Sequence, residues 1–247
     1  MPHFLITGGA GYIGSVLVQA LLSEGNKITV IDCFYFGRTT LPSHPNLICI
    51  EQDCREISLQ QLKSVDIVID LVAMSNDHCG EAFQSLTWAI NHKARVRTAF
   101  LAKRAGVTRY ILPSSCSVYG YQRNKVDETS PTNPQTTYAQ ANLMAEHDIH
   151  VTVLRLATVF GFSPRLRLDL VVNAMVYSAW KDGKIVVHGD GTQNRPLIYI
   201  KDVVTALKII SSAPIEKISG QTFNIGNERL NYTINEIAEK VACAMIK

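Results

Sequence analysis

Near its N-terminus the chain reads Phe4-Leu5-Ile6-Thr7-Gly8-Gly9-Ala10-Gly11-Tyr12-Ile13-Gly14, and this stretch decides the fold. An apolar strand pattern passes through glycines into an apolar helical pattern. Of three glycines, Gly8, Gly11 and Gly14, one would accept positive φ in the turn, one would let a pyrophosphate approach the backbone, and one would let the helix pack closely on the sheet. The start of the helix offers N–H groups to an anion. The order strand, glycines, helix predicts a dinucleotide site; a helix-entry turn without a ligand is the alternative.

The second predicted strand ends on an acidic residue. The β-branched run Lys27 to Ile31 is followed by Asp32, about 20 residues beyond the turn. A carboxylate at this point can accept hydrogen bonds from both ribose hydroxyls of an adenosine, and it would repel a 2′-phosphate. Asp32 therefore favours NAD over NADP, and an NADP-dependent reductase conflicts with it. An ordinary cap or turn residue is the alternative interpretation.

The composition excludes several classes of function. The chain has 247 residues, 47% of them apolar and 18% charged, which suits one well-filled globular domain or one and a half. A formal net charge of +3 is too small to argue for a nucleic-acid or anionic-membrane partner. We expect no membrane span, because no apolar run reaches the roughly 18 residues that a span needs. We expect no signal peptide, because the first apolar run passes straight into the glycine turn. The six cysteines form no CxxC pair, so we expect no metal site and a reducing cytoplasm.

Strands alternate with helices along most of the chain. Strands are predicted at Leu47–Ile50, Ile67–Ala73, Tyr110–Leu112 and Val151–Leu156, and helices at Ile13–Leu22, Gln84–Ala105 and Gln135–His147. This alternation predicts an α/β fold with a doubly wound parallel sheet of the Rossmann type. Ligands of such sheets bind outside the carboxyl ends of the strands, which is where Asp32, Asp53, Ala73 and Ser115 fall.

The pattern changes beyond Gly161. We predict a helix at Leu168–Lys181, a strand at Ile185–His188, a turn at Gly189–Gly191, a segment Arg195–Ile200 that leads into a helix at Val203–Ser211, and a last helix at Ile234–Ile246. Residues 1–161 are therefore expected to form the dinucleotide-binding domain. Residues 162–247 are expected to form a smaller substrate-binding lobe that closes over the crevice, with discontinuous contributions and with relatives that continue further.

Polar groups converge after the fifth strand, where Ser115 and Tyr138 stand. A tyrosine followed four residues later by a lysine would place both side chains on one helix face. The charge of that lysine would lower the pKa of the phenol toward neutrality, so that the phenol could shuttle a proton. A nearby hydroxyl could hold the oxygen of the substrate.

These residues together resemble the extended short-chain dehydrogenases/reductases that act on sugar nucleotides, such as UDP-glucose 4-epimerase. The residues that carry the resemblance are Thr7–Gly14, Asp32, Asp53-Cys54-Arg55, Leu71-Val72-Ala73, Asn91, Ser114–Gly120, Tyr138, Leu154-Arg155-Leu156, Arg195-Pro196 and Tyr199–Val203. They span nearly the whole chain.

The resemblance implies NAD as the cofactor, a nucleotide sugar as the substrate and no metal. It implies contacts to NAD from Gly8, Gly11, Tyr12, Ile13, Asp32, Asp53, Cys54, Leu71, Ala73, Tyr138 and Asn142. Ser115 would orient the substrate and Tyr138 would be the acid/base. Arg195 would meet the diphosphate of the substrate and Asn173 would contact the sugar nucleotide. Relatives often form homodimers through the helix 84–105 and the Tyr138 helix, so we expect a homodimer.

The subfamily can be narrowed by the two residues after Ser115. The 4,6-dehydratases of this family have an Asp-Glu pair there that performs the elimination, whereas this chain has Cys116 and Ser117. A 4-epimerase-like or a simple oxidoreductase chemistry remains. In an epimerase the hydride leaves C4, the 4-keto sugar turns, and the hydride returns to the other face.

The chain departs from the family pattern at the catalytic position four residues after Tyr138. The sequence there is Tyr138-Ala139-Gln140-Ala141-Asn142, with a neutral asparagine in place of lysine and no lysine or arginine before Asp148. Asn142 can hydrogen-bond a ribose hydroxyl but brings no charge, so much of a general-base contribution of roughly 10²–10⁴ in rate should be missing. Three interpretations remain open: an impaired NAD- or nucleotide-sugar-binding protein, a group from elsewhere that substitutes, or an altered sequence.

The connection after this helix is a second departure. Only residues 147–150 separate the helix from the Val151 strand, and a 13-residue helix spans about 20 Å. We expect either missing residues here or a shortened segment that leaves the crevice more open.

The remaining signals have ordinary explanations. Asp77, His78 and Cys79 resemble a metal cluster but lie too close in sequence, which favours a loop over the substrate. Tyr138 could be a surface aromatic residue and Arg195 a solvated charge. The helix 84–105 is predicted to expose Lys93, Arg95, Arg97, Lys103 and Arg104 and to bury Val96, Ala99, Phe100 and Leu101.

Overall fold

The computed structural model describes residues 1–122 and 124–245. Its strands are β1 (His3–Thr7), β2 (Lys27–Asp32), β3 (Leu47–Glu51), β4 (Ile67–Asp70), β5 (Arg109–Ser115), β6 (Thr152–Leu156), β7 (Thr158–Phe160), β8 (Asn194–Tyr199), β9 (Thr222–Ile225) and β10 (Asn231–Thr233). Its helices are α1 (Tyr12–Ser23), α2 (Leu59–Leu62), α3 (Asp77–Ala82), α4 (Gln84–Thr87), α5 (Arg95–Ala105), α6 (Thr137–Asp148), α7 (Val171–Asp182), α8 (Ile200–Ser212), α9 (Ile215–Ile218) and α10 (Ile234–Met245). A π-helical segment, Trp88–Ala94, joins α4 to α5.

The larger sheet has seven parallel strands in the order β3-β2-β1-β4-β5-β6-β9. Strand β1 pairs with β2 on one side and with β4 on the other. The chain therefore moves outward to β3 and then returns past β1, which creates a switch point at the carboxyl ends of β1 and β4. Crevices at such points bind ligands in open α/β sheets. The predicted doubly wound parallel sheet of the Rossmann type is confirmed.

Alternating side chains of the central strands pack on two helical layers, as the pleat of a strand requires. On β1, Ile6 belongs to the apolar core that α1 and α8 cover, through Leu17 and Leu207. The neighbouring Leu5 belongs to the opposite core, which α5 and α6 cover. The glycine turn thus leaves a strand that is buried on both faces.

The C-terminal part contributes to two sheets. Strand β8 pairs in parallel with β7 and antiparallel with β10, and this three-stranded sheet packs with α7 and α10 around a small core. However, α8 packs on α1, and β9 extends the large sheet beside β6. The division of the chain at residue 161 stays a prediction, since residues on both sides of it build the large sheet.

Several predicted elements differ from the structure. The predicted strand Ile185–His188 is wrong: within the described residues this segment has no strand partner, and it packs Ile185 and Val187 against the small core instead. The fourth strand ends at Asp70 rather than Ala73, and α7 begins at Val171 rather than Leu168. The last residue of the predicted helix Ile234–Ile246 lies outside the described residues.

The connection between α6 and β6 comprises residues 149–151, as short as the sequence indicates. Across residues 1–122 and 124–245, no helix is both long enough and apolar enough to cross a membrane.

Candidate active site

The glycine turn lies at the switch point and has no room for side chains. Gly8 has a φ of +67°, and a Cβ there would lie 3.0 Å from the backbone nitrogen of Val72. A Cβ at Gly14 would lie 2.4 Å from the carbonyl oxygen of Gly8. Glycine is therefore required at Gly8 by backbone conformation and at Gly14 by close packing.

The N-terminus of α1 is open toward this turn. Its N-cap residue is Gly11, and within the described chain no side chain caps the helix. The first N–H groups of a helix, here those of Tyr12, Ile13 and Gly14, have no partner within the helix. Together with the positive end of the helix dipole they favour an anion, and a diphosphate has the charge and the acceptors to match.

Asp32 lies beside the turn at the end of β2. Its Oδ2 accepts a hydrogen bond from the Ala10 backbone N–H at 3.0 Å, and its Oδ1 accepts one from the Phe34 N–H at 2.8 Å. These bonds fix the carboxylate, and each oxygen keeps a further lone pair for a hydroxyl donor.

The other predicted cofactor residues line the same edge of the sheet. The backbone N–H of Leu71 donates to the Thr7 carbonyl at 3.2 Å, which ties the segment that contains Ala73 to the glycine turn. Hydrogen bonds from Arg55 hold the pKa of Asp53 below its usual value. Burial raises the pKa of the Cys54 thiol to about 12, so this side chain stays neutral.

Ser115 and Tyr138 meet at the carboxyl end of β5. The Ser115 Oγ accepts hydrogen bonds from the Ser117 backbone N–H at 3.2 Å and from the Ser117 hydroxyl at 2.9 Å. Tyr138 stands in the first turn of α6, which Thr136 caps by accepting a bond from the Ala139 N–H. Burial raises the pKa of the Tyr138 phenol, while the charge of Arg95 and the Ser115 hydroxyl act to lower it.

Asn142 is buried beneath Tyr138 and contacts an arginine. Its Nδ2 donates to the Tyr138 carbonyl at 2.8 Å, and its Oδ1 accepts a bond from Arg95 Nη1 at 2.5 Å. The prediction that Arg95 lies on a solvated face is wrong, because this residue is 3% exposed. The prediction that Phe100 faces the core is also wrong, because it is 60% exposed. The buried residues of α5 are Arg95, Thr98, Ala99 and Ala102, which form a regular helical face, so the observed buried face is rotated relative to the predicted one.

The two predicted substrate residues lie in different surroundings. Asn173 is buried: its Oδ1 accepts a bond from the Gly161 N–H at 3.0 Å, and its Nδ2 donates to the Tyr12 hydroxyl at 3.1 Å. This amide therefore joins α7 to the start of α1. Arg195 is exposed on β8, and its charge opposes the burial that raises the pKa of the Cys116 thiol to about 11. Arg195 therefore lies close enough to Cys116, the residue next to Ser115, for its charge to act on that thiol.

The loop before α7 reaches the loop after β4. Arg167 Nη2 donates to the Ser75 carbonyl at 3.2 Å, and Asn76 Nδ2 donates to Asp169 Oδ2 at 2.8 Å. Burial would raise the pKa of Asp169, but the hydrogen bonds and charge of Arg167 outweigh it and hold the pKa at about 2. Sequence reasoning missed this contact, since nothing in either loop marks the other as its partner.

Asp77, His78 and Cys79, which the sequence favours as a loop over the substrate, form the start of the short helix α3. Asn76 caps α3 by accepting a bond from the Cys79 N–H at 2.7 Å, and Asp77 accepts one from the Thr136 hydroxyl at 2.6 Å. A Cβ at Gly80 would lie 2.9 Å from the Cβ of Tyr138, so Gly80 lets α3 pack on α6. In the part of the chain that the structure describes, no three His, Cys, Asp or Glu side chains are grouped as a metal site requires.

Comparison with known proteins decides the family. The model of the NAD dependent epimerase/dehydratase family matches residues 4–226. The chain belongs to this family. The resemblance stated from the sequence is thereby confirmed.

Two relatives and one solved structure illustrate the likeness. A protein of Bacillus subtilis (strain 168), the uncharacterized UDP-glucose epimerase YtcB, is 29% identical over 245 residues, which are 90% of this chain and 76% of YtcB. UDP-glucuronic acid decarboxylase 1 of Arabidopsis thaliana is 30% identical over 258 residues, 97% of this chain but only 57% of that protein. The structure of UDP-glucuronic acid 4-epimerase from Bacillus cereus with UDP-glucuronic acid and NAD superimposes with a TM-score of 0.89 at 26% identity, covering 99% of this chain and 83% of that one. The chain thus spans between about half and four fifths of these proteins.

This epimerase/dehydratase family is NAD-dependent, and the residues of this chain fit the cofactor. The glycine turn leaves a cradle that a Cβ at Gly8 or Gly14 would fill, and the start of α1 offers N–H donors to the diphosphate. Asp32 keeps acceptor capacity for ribose hydroxyls. The buried Nε of Arg95 has no hydrogen-bond partner among the described residues, so the base of the crevice holds a donor that remains unsatisfied.

Proposed function

We propose that this protein catalyses the transient oxidation of one carbon of a nucleotide sugar, as a 4-epimerase-like enzyme or an oxidoreductase. The observation that carries the proposal is the meeting of the Ser115 hydroxyl and the Tyr138 phenol at the carboxyl end of β5, the edge of the parallel sheet from which the glycine turn also leaves. NAD held by the glycine turn and Asp32 would supply the hydride acceptor for this oxidation and the hydride donor for its reversal.

Ser115 and Tyr138 divide the remaining chemistry. Tyr138 takes the proton of the substrate hydroxyl as its carbon is oxidised and returns the proton when the carbonyl is reduced. The Ser115 oxygen already accepts two bonds from Ser117, so its own proton is left to donate to the substrate oxygen. The serine thereby holds the reacting oxygen next to the phenol.

The substrate side of the crevice supports a nucleotide diphosphate ligand. Arg195 offers an exposed guanidinium, which pairs with phosphates in a bidentate geometry. Asn173 shapes the same wall by holding the Gly161 backbone against Tyr12. The Cys116 thiol, whose pKa burial raises to about 11, stays protonated near neutral pH, so it is not a base for an elimination. This supports an epimerase or oxidoreductase rather than a dehydratase.

A second candidate function belongs to a different class. A protein that binds NAD or a nucleotide sugar with little turnover is favoured by Asn142, the neutral residue where the family resemblance implies lysine. Without a lysine at that position, the partly buried Tyr138 phenol, whose pKa burial raises, would stay protonated and could not accept a proton.

Turnover of a panel of UDP-, GDP- and dTDP-sugars separates the two candidates. We expect the chain to convert at least one of them, and Tyr138→Phe to lower the rate by roughly 10²–10⁴. Asn142→Lys tests the effect of the missing charge. Equal activity in the unaltered chain and in Asn142→Lys would show that no local lysine is needed. Absence of turnover in both, with NAD still bound by calorimetry, would favour the binding protein.

We also propose a cytoplasmic homodimer. Helices α5 and α6 lie side by side, and each exposes a large apolar side chain, Phe100 at 60% and Met144 at 41%. Such exposed apolar groups on adjacent helices are typical of a helix-to-helix interface. All six cysteines are free thiols, which suits a reducing compartment.

A further inference from the structure

The guanidinium of Arg95 lies beneath the catalytic helix and is bound only by neutral acceptors. Its Nη1 donates to Asn142 Oδ1 at 2.5 Å and to the Asn91 carbonyl at 3.4 Å, and its Nη2 donates to the Val72 carbonyl at 2.9 Å. The residue is 3% exposed, and among residues 1–122 and 124–245 no carboxylate oxygen lies within 4.0 Å of it. A buried charge without a paired counter-ion is costly, so a guanidinium held only by neutral acceptors is a candidate to stabilise an anion nearby.

We propose that Arg95 is a positioning residue that, held by Asn142 beneath the catalytic helix, supplies the positive charge that stabilises the Tyr138 phenolate. The proposal rests on the proposed function, in which Tyr138 is the acid/base. Of the three interpretations of Asn142, the proposal selects the second, in which a group from elsewhere in the chain substitutes for the missing lysine.

Asn142 suits this arrangement better than a lysine would. Residues four apart share a helix face, so Asn142 lies directly below Tyr138 and bonds its carbonyl. The amide oxygen of asparagine accepts the bond from Arg95, whereas a lysine ammonium has donors only and would repel the guanidinium. The neutral Asn142 and the cationic Arg95 are therefore complementary.

Other charged groups also face the Tyr138 phenol. Arg167, from the loop before α7, acts to lower the pKa of the phenol, and Asp77 at the start of α3 acts to raise it. Arg167 is already paired with Asp169, whose Oδ1 lies 3.1 Å from its Nε. Asp70 lies near Arg95 at the end of β4, but it is held by the hydroxyls of Thr7 and Tyr110. Neutral hydroxyls do not cancel the charge of a carboxylate, so Asp70 partly balances Arg95 from beyond direct contact. Of the two cations that face the phenol, Arg95 is thus the one without a directly bonded carboxylate among the described residues.

The pKa of Tyr138 can be measured without substrate, by NMR titration of ring-labelled tyrosines with the Tyr138 signal assigned from its loss in Tyr138→Phe. We expect Arg95→Met to raise that pKa by about one pH unit or more, and Arg95→Lys, which keeps the charge, to restore most of the shift. The double variant Arg95→Met/Asn142→Lys places a cation at the local position and should also restore it.

A variant that keeps Arg95 guards against loss of folding. Asn142→Asp is nearly isosteric, pairs with Arg95 and neutralises its charge, so the Tyr138 pKa should rise by about one pH unit or more here as well. An unchanged Tyr138 pKa in folded Arg95→Met or Asn142→Asp would overturn the proposal.

The same titration separates this proposal from the proposed function. If the Tyr138 pKa changes in the Arg95 variants but no nucleotide sugar is converted, the role of Arg95 is supported and the proposed enzymatic function is refuted. If nucleotide sugars are converted while the Tyr138 pKa is the same in the Arg95 variants, the enzymatic function is supported and the role of Arg95 is refuted.

Discussion

Replacing Glu146 by glutamine removes one charge from a buried ion pair between α6 and β6. The Glu146 Oε2 accepts bonds from Arg155 Nη2 at 2.7 Å and Nε at 3.0 Å, and the two side chains are 5% and 9% exposed. The Ser114 hydroxyl donates to the other carboxylate oxygen, and Arg155 Nη1 donates to the Tyr119 hydroxyl at 2.9 Å. The pair therefore holds α6 on β6, and the bond from Ser114 also holds α6 on β5, the strand that ends at Ser115.

The cost follows from the burial. Removing one partner of a buried pair costs about 3–5 kcal/mol, because the other charge remains without compensation. Glutamine keeps one carbonyl acceptor for Arg155, so we expect the lower end, about 3 kcal/mol. For a chain of this size each kcal/mol shifts the melting temperature by about 2–4 °C, which predicts a fall of roughly 6–12 °C.

Thermal unfolding and urea titration measure this effect, with the urea m-value checking that the denatured state is unchanged. Glu51→Gln is the matched control, because it breaks the Arg38–Glu51 pair, whose side chains are 53% and 62% exposed. We expect the control to cost less than about 1 kcal/mol. Equal losses in the two variants would refute the reasoning, since burial would then make no difference to the value of the charge.

Three further predictions concern the site and the surface. The pKa of Asp169 is held at about 2, below its ordinary 3.8, so its contribution to stability is present above pH 3.8 and is lost as the pH falls toward about 2. Asp169→Asn should therefore flatten the pH dependence of the unfolding free energy between these two values. An unchanged slope would contradict the ion pair. Gly14→Ala should lower the free energy of unfolding by about 1–3 kcal/mol and weaken NAD binding in calorimetry, because its Cβ would lie 2.4 Å from the Gly8 carbonyl oxygen. Gly11→Ala, whose Cβ would lie 3.1 Å from the same oxygen, should lower it less. Phe100→Glu should convert the proposed homodimer to a monomer in sedimentation analysis, and an unaltered mass in solution would show that the dimer, if formed, uses another face.

The glycine turn shows how far local reasoning reaches. The strand, the turn and the helix are consecutive in the chain, so the demand for a small residue and for positive φ can be worked out from neighbouring residues alone. The observed φ of +67° at Gly8 and the close approach of Gly14 to the turn agree with that reasoning.

The predicted strand Ile185–His188 shows where local reasoning ends. Its apolar residues do enter a core, but a strand also needs a neighbour with a free edge, and that neighbour belongs to another part of the chain. The orientation of the long helix 84–105 failed for a related reason. Within α5 the buried residues form one regular helical face, Arg95, Thr98, Ala99 and Ala102. Which face of a helix turns inward depends on the elements that it packs on, and those lie elsewhere in the chain.

The sequence by itself determined the family, the wound parallel sheet, NAD as the cofactor and the missing lysine, because each depends on residue types at short, fixed spacings. Only the tertiary structure decided what surrounds the Tyr138 phenol. Arg95 and Asn142 are 47 residues apart in the chain, yet they are joined by a hydrogen bond in the fold. The proton affinity of a side chain depends on the charges near it in space, and spacing along a helix accounts only for those within about one turn.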